Sequence, residues 1–161
     1  MAFFKLVPGE YRGEDSIKHV LKYILNEAKN PNAVHNVYGT SDSDIENIIF
    51  HFIKVQELYR KTNYRRILHL IVSFPYDSSY TPADYKKIGN QIAAYYSGHQ
   101  VIFALHEKDK CNGIKQPHIH IALNPINYET GKRIRYNKKL LKDFHNYLKT
   151  ICSDSSLKRI E

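Results

Sequence analysis

The sequence predicts an α+β fold, with a central antiparallel sheet and helices packed on its faces. Three observations support this class. The chain has 161 residues, the size of one domain that can bury its own core. Helical patterns and short apolar runs follow one another as strand, two helices, strand, helix, hairpin, helix. No internal repeat or long linker divides them, so we expect one domain over residues 1–152 and a C-terminal tail over 153–161.

Capping signals and apolar periodicity predict the helices. The first starts at Asp15 and Ser16, and its apolar face centres on Ile17. A third begins at Thr81-Pro82, the favoured order of cap and first helical residue. The four predicted helices are residues 15–26, 44–60, 81–97 and 138–152. A polar stretch, residues 29–43, separates the first two.

Runs of β-branched and large apolar residues predict the strands. The predicted strands are residues 3–7, 67–74, 101–105, 118–123 and a short basic strand at 132–136. A polar loop, residues 107–117, joins the third and fourth strands as a hairpin. These two strands are therefore expected to lie side by side in the sheet.

The charge balance favours a polyanionic partner. Lys and Arg total 24 against 16 Asp and Glu, a formal charge of +8, which attracts nucleic acid through counterion release. Thirteen tyrosines add candidate stacking surfaces for unpaired bases. No apolar run reaches the roughly 18–20 residues that a membrane span needs, and the start lacks a secretory signal. With only two cysteines and no Cys-x-x-Cys zinc pattern, we expect a reducing cytoplasm.

The segment 117–124 carries the strongest chemical signal. On a strand, His118, His120 and Asn124 share one face, while Ile119, Ile121 and Leu123 share the other. Imidazoles two positions apart can converge on one ion. His106 ends the neighbouring strand and supplies a third ligand, which leaves coordination positions open as in catalytic metal sites.

Two alternatives accompany the histidine pattern. The pair His118 and His120 also fits a chance pair on a solvated strand face. Imidazole ligands alone do not select the ion, since they suit zinc and copper as well. The other six histidines have no comparable pattern and are expected on the surface or in the core. They are His19, His35, His51, His69, His99 and His145.

Tyr23 is the candidate nucleophile. On a helical wheel it falls away from the apolar face, close to the basic residues Lys18, His19 and Lys22. A tyrosine held among cations is suited to attack a phosphate ester, because positive charge favours the phenolate. From the wheel alone, a packing or surface role for Tyr23 remains an alternative.

Together these segments resemble the relaxase, or mobilisation nuclease, family of HUH endonucleases in its MobP-like branch. Residues 17–25 resemble the first motif of the family, whose tyrosine attacks DNA. Residues 66–75 resemble the strand that leads into the family's central region. Residues 100–106 and 118–124 resemble the histidine motif, and 127–132 the turn that follows it. The tyrosine precedes the histidines, as in relaxases. Replication initiators and small transposases have the reverse order.

The resemblance implies a five-stranded antiparallel sheet and a site-specific nick in single-stranded or hairpin DNA at a transfer origin. It implies Tyr23 as nucleophile, linked to the 5′ phosphate, in a bacterial cytoplasmic protein that works with accessory relaxosome proteins. His106, His118 and His120 would bind one divalent ion, Mg²⁺ or Mn²⁺, with zinc or another ion left open. The resemblance also implies that the free 3′ hydroxyl later attacks the phosphotyrosine bond and reverses the reaction.

Further residues are assigned supporting roles. Asn124 and Asp109 are expected to orient a ligand or the substrate, and Lys22, Lys132, Arg133 and Arg135 to contact DNA phosphates. The family usually has His-x-Asp about seven residues before the next histidine. Here His106 precedes His118 by twelve, which indicates an insertion near residues 111–115.

Three other functions remain open at this stage. One is an HUH replication initiator or transposase, and another is an inactive relative that only binds single-stranded DNA. The third is a histidine-based phosphoesterase acting on small molecules, which would gain nothing from the basic charge.

Overall fold

The computed structural model describes residues 3–26, 34–40, 44–75, 80–107, 110–111 and 114–152. The strands in these ranges are β1 (Phe3–Leu6), β2 (His35–Tyr38), β3 (Leu68–Ser73), β4 (Val101–His106), β5 (Lys110–Cys111), β6 (Ile114–Lys115) and β7 (His118–Leu123). The helices are α1 (Glu14–Asn26), α2 (Ile45–Leu58), α3 (Pro82–Tyr95) and α4 (Lys138–Ile151). The predicted α+β class is confirmed.

Five strands form one antiparallel sheet in the order β1-β3-β7-β4-β2. The predicted hairpin is confirmed, because β4 and β7 are neighbours, with β5 and β6 pairing in the connection between them. The strand β7 lies at the centre of the sheet. Its residues 118–123 are those expected from the sequence, and all six are buried.

The two faces of the sheet are covered by different helices. Leu70, Phe103 and Ile121 point to α3 and α4, whose Ile92 and Phe144 complete a large apolar core. We call this the α3/α4 face. Ile102, Ala104 and Ala122 point to the other side, where they meet apolar residues of α1 and α2. We call this the α1/α2 face. The histidines of β7 alternate with the first set and therefore lie on the α1/α2 face.

The helix starts follow from their capping residues. Asp44 accepts hydrogen bonds from the backbone N–H groups of residues 46 and 47, and Asn137 accepts one from residue 140. Thr81 forms a capping box with Asp84, with Pro82 at the first helical position. These bonds satisfy N–H groups that a helix leaves without internal partners, which is why the predicted starts are close to the observed ones.

One predicted strand is wrong and one strand of the five-stranded sheet was missed, while the short β5 and β6 lie in the predicted polar loop. Residues 132–136 form no strand and contribute only an isolated bridge between Ile126 and Arg133. Ile134 donates its N–H back to the Pro125 carbonyl, so this segment folds as a loop. The fifth strand is β2, inside the stretch predicted to be polar connection. It is short, half-buried and paired only with β4, so its residues carry little apolar alternation.

Within the described ranges, none of the helices has both the length and the apolar character needed to cross a lipid bilayer.

Candidate active site

The three predicted ligands meet on the α1/α2 face. His106 and His118 are direct partners across β4 and β7, and His120 lies two residues further along the same face. One nitrogen from each ring lies within 4.8 Å of those of the other two. The three side chains are 3%, 7% and 2% exposed. Three buried imidazoles thus converge at the end of the β4–β7 hairpin.

Hydrogen bonds orient each of these rings. His106 donates from Nε2 to the carbonyl of Ile24 at 3.0 Å, and His118 donates from Nδ1 to the carbonyl of Gln116 at 2.8 Å. His120 Nδ1 lies 2.8 Å from Nε2 of His69. Contacts of this kind through one nitrogen set the tautomer of a metal-binding histidine.

The donor set fits a divalent cation. The Nε2 atom of His120 is buried and has no hydrogen-bond partner among the described residues. A buried polar atom without a partner costs free energy, so its retention calls for a ligand. Burial and then the neighbouring His106, His118 and His69 together lower the pKa of His120 to about 2. The ring is therefore neutral near pH 7, the form that binds metal.

Helix α1 places Tyr23 over this cluster. The ring centroid of Tyr23 lies 5.2 Å from that of His120 and 5.5 Å from that of His106. The next residue, Ile24, accepts the hydrogen bond from His106, so the helix is tied to the cluster at this turn. Although it contacts buried rings, Tyr23 is 48% exposed. Its place off the apolar face of α1 gives it both a buried contact and access to solvent.

His69, expected on the surface or in the core, also lies at the histidine cluster, in contact with His120. It lies on β3, only 6% exposed, and its ring centroid is 5.1 Å from that of His120 and 6.3 Å from that of Tyr23. Burial, then His106 and Arg65, lower the pKa of His69 to about 4. A lone histidine within an apolar strand gives no sequence signal of this role, because the pairing of β3 with β7 brings it there.

Asn124 belongs to a different group of buried side chains. It lies on the same face as His120, but it donates to the Gln100 side chain at 2.8 Å and to the Phe52 carbonyl at 3.2 Å. It also accepts from Gln56 at 3.0 Å. These bonds tie the end of β7 to α2, away from the histidine rings. Asp109 lies outside the described residues.

The four residues expected to contact DNA are dispersed. Lys22 forms a surface ion pair with Glu46 at 3.1 Å, beside Tyr23 in the chain. The guanidinium of Arg133 stacks 3.8 Å from the ring centroid of Tyr64, while Lys132 and Arg135 are exposed. The loop that carries the last three follows the end of β7 opposite His118. This loop packs against Tyr64 through Arg133 and hydrogen-bonds the Tyr96 hydroxyl through that of Tyr136.

A cavity of about 340 Å³ adjoins that loop. It is lined mainly by Tyr95, Tyr96, Tyr136, Arg133 and Arg135. The lining combines aromatic rings with cationic groups.

One half of the α1/α2 face remains open next to the histidines. Helix α1 contacts β4 and β7, whereas Ile71 and Ser73 of β3 and Lys5 of β1, which lie on this face, are not fully buried. Ile71 of β3 is paired with His120 and is half-buried. Lys5 of β1 is paired in turn with Ile71 and is exposed. Ser73, opposite His118, is also half-buried. The open side therefore presents a lysine two strands from His120, a feature that the sequence alone did not single out.

Comparisons with known proteins match this architecture. Residues 23–157 match the family model of the relaxase nuclease domain, MobA/VirD2-like. The chain is 31% identical over 115 residues to Protein rlx of Staphylococcus aureus, a match that covers 71% of this chain and 33% of that relative. The matched region thus spans about a third of the relative's length.

A solved structure also shares the fold. Its title is "Molecular Basis of Vancomycin Resistance Transfer in Staphylococcus aureus", and it aligns with a TM-score of 0.51 at 14% identity. The alignment covers 78% of this chain and 73% of that one. The resemblance drawn from the tyrosine and histidine motifs is confirmed, and the chain belongs to the MobA/VirD2-like relaxase nuclease family.

Proposed function

We propose that this chain is a metal-dependent nickase and strand transferase that cuts single-stranded DNA at a transfer origin and becomes linked to it through Tyr23. The observation that carries the proposal is the contact between a half-exposed tyrosine and a buried three-histidine cluster. Within the described part of the chain, Tyr23 is the tyrosine whose ring lies against these histidines. Nucleophile and cation ligands are thus adjacent.

His106, His118 and His120 would hold the cation through three neutral nitrogens. A divalent ion there supplies Lewis-acid polarisation of the scissile phosphate and neutralises its charge. The chain's contribution is a rigid and largely dry set of ligands, because all three rings are buried between the sheet and α1. Their hydrogen bonds to main-chain carbonyls and to His69 keep the rings oriented before substrate binds.

Tyr23 would perform the bond exchange. Its phenol oxygen forms a bond to phosphorus and gives up its proton, while the bond from phosphorus to the 3′ oxygen breaks. The departing oxygen takes up a proton and becomes a 3′ hydroxyl, and the 5′ phosphate stays on Tyr23. Attack by a 3′ hydroxyl reverses these steps and reseals the strand, since one phosphodiester is exchanged for another.

The DNA would enter along the open side of the α1/α2 face. Lys5 lies two strands from His120 on the same face, and Lys22 precedes Tyr23 on α1, so the two lysines could neutralise phosphates on either side of the cut. The surface ion pair of Lys22 with Glu46 is weak enough to exchange for a phosphate. Arg135 and Lys132, at the far end of β7, would contact a more distant part of the same strand. With several phosphates neutralised, affinity should fall steeply with salt and favour single strands over duplex.

Trapping the covalent adduct tests this proposal. The protein is incubated with Mn²⁺ and labelled single-stranded oligonucleotides that carry a candidate transfer origin, then run on a denaturing gel. We expect a shifted band with the wild type and none with Tyr23→Phe, which removes one oxygen and preserves the ring contacts.

Tyr64→Phe is the matched control, because Tyr64 is similarly exposed, at 42%, but lies against Arg133. It should form adduct like the wild type. Digestion and sequencing of the DNA-linked peptide should identify residue 23. Adduct formation by Tyr23→Phe, or a linked peptide centred on another tyrosine, would reject the assignment.

A further inference from the structure

We propose that His69 is a positioning residue of the histidine cluster, fixing the tautomer of His120 so that its Nε2 faces His106 and His118. The proposal rests on the metal-dependent function proposed above and assigns this role to a fourth histidine. It is carried by the 2.8 Å contact between His69 Nε2 and His120 Nδ1 inside the sheet.

The sheet register holds the two rings together. Ile71 is the direct partner of His120, and His69 is the partner of Ala122, so His69 stands one diagonal step from His120 on the same face. His69 is 6% exposed and His120 is 2% exposed. Neither ring can turn to solvent for a substitute partner. The contact is therefore built into the β3–β7 pairing.

The chemistry of the contact specifies both tautomers. A nitrogen that binds a cation must carry no proton, so His120 with Nε2 as ligand carries its proton on Nδ1. That N–H donates to Nε2 of His69, which must then be the acceptor. His69 consequently carries its own proton on Nδ1. In this arrangement the His120 nitrogen without a hydrogen-bond partner is the one expected to bind the ion.

His69 is better placed to orient a ligand than to be one. The nitrogens of His106, His118 and His120 lie within 4.8 Å of one another, and His69 does not belong to that set. Its ring also lies in edge contact with Tyr23, at a centroid distance of 6.3 Å. His69 thus supports a proposed metal ligand and the proposed nucleophile from the β3 side.

Metal affinity tests the proposal without depending on cleavage. Mn²⁺ binding is measured by calorimetry and electron paramagnetic resonance on wild type, His69→Leu and His69→Gln. We expect the leucine variant to bind about 10–100-fold more weakly, the usual cost of removing a residue that orients a metal ligand. The glutamine variant should recover most of the affinity, because its amide oxygen can accept from His120 Nδ1.

His99→Leu is the matched control. His99 is a partly buried histidine whose Nδ1 bonds the Asn124 carbonyl at 2.8 Å, outside the cluster. It should change Mn²⁺ affinity by less than twofold. Wild-type affinity in His69→Leu, or equal losses in the leucine and glutamine variants, would overturn the proposal.

A second measurement decides the case if His69→Leu fails to fold or if the wild type binds no Mn²⁺. Nitrogen-15 spectra of the metal-free wild type distinguish Nδ1–H from Nε2–H tautomers. We expect His120 and His69 both as Nδ1–H, and an Nε2–H tautomer at His120 overturns the proposal. Wild-type protein that binds Mn²⁺ but never forms adduct would reject the nickase function, while the affinity comparison would still decide the role of His69.

Discussion

The two faces of the sheet are built from the same strands but have different roles, one in packing and the other in carrying the histidine cluster. The α3/α4 face is closed by aromatic and aliphatic side chains, including Phe103, Phe144 and Ile92, all fully buried. The α1/α2 face has an apolar cluster under the helices, then four histidines, then an open edge beside Lys5. Apolar burial on the α3/α4 face thus stabilises the fold. This stability allows the α1/α2 face to keep buried polar groups that themselves contribute little to it.

The largest expected effect is a loss of metal binding and DNA cleavage when a histidine of the α1/α2 face is replaced. His120→Ala should abolish Mn²⁺ binding and adduct formation, because it removes one of three proposed ligands. Its stability cost should be about 1–3 kcal/mol, since the lost packing is accompanied by loss of a nitrogen that has no hydrogen-bond partner. Calorimetry, the adduct gel and urea unfolding measure the three quantities. Unchanged Mn²⁺ affinity in a folded variant would remove His120 from the site.

On the closed face, Gly89→Ala tests tight packing. Helix propensity alone predicts a gain of up to about 1 kcal/mol. However, a Cβ at Gly89 would lie 2.3 Å from the ring of Phe103, which is fully buried. We expect a net loss of about 1–3 kcal/mol in the free energy of unfolding, measured by urea denaturation, with metal affinity unchanged.

Two further variants isolate the cause of that loss. Phe103→Leu shortens the opposing side chain, so the double variant should lose less than the sum of the single losses. Gly13→Ala is the control, because its added Cβ meets its nearest neighbour at 4.0 Å. A stabilised Gly89→Ala protein would show that α3 can move away from the sheet at little cost.

The sequence predicted the centre of the sheet better than its edges. The strand β7 matches its expected bounds, because histidine and isoleucine alternate over residues 118–121 and the strand continues through the apolar Ala122 and Leu123. Edge strand β2 was missed, since a half-buried strand with one neighbour needs no such pattern. Residues 132–136 alternate like a strand, yet the hydrogen bond between the hydroxyls of Tyr136 and Tyr96 and the bridge at Arg133 hold them as a loop.

The site was predicted to the extent that its residues share a motif. His106, His118 and His120 come together as expected, and Tyr23 reaches them because α1 crosses β4 and β7. His69 and Lys5 arrive through pairing between strands that lie far apart in the chain, so no local spacing reports them. Asn124 shares the face of the histidines but bonds to Gln56 and Gln100, because α2 covers that end of β7.

The smallest expected effect near neutral pH concerns two buried tyrosines of the closed face, whose contribution appears only at high pH. The hydroxyl groups of Tyr96 and Tyr136 are hydrogen-bonded to each other, and burial raises the pKa of both above the ordinary value for tyrosine. Below about pH 10 both are protonated in the folded and unfolded states, so they add no pH dependence. Above it the unfolded chain loses protons that the folded chain keeps. The free energy of unfolding should then fall by about 1.4 kcal/mol per pH unit for each tyrosine.

Urea midpoints at pH 8, 10 and 11 should show this fall in the wild type and a shallower one in a Tyr96→Phe, Tyr136→Phe double variant. Tyr64→Phe, an exposed tyrosine at 42%, should retain the wild-type slope. Equal slopes in wild type and double variant would mean that this pair ionises as readily in the folded protein as in the unfolded chain, and that the α3/α4 face is more open to water than its packing indicates.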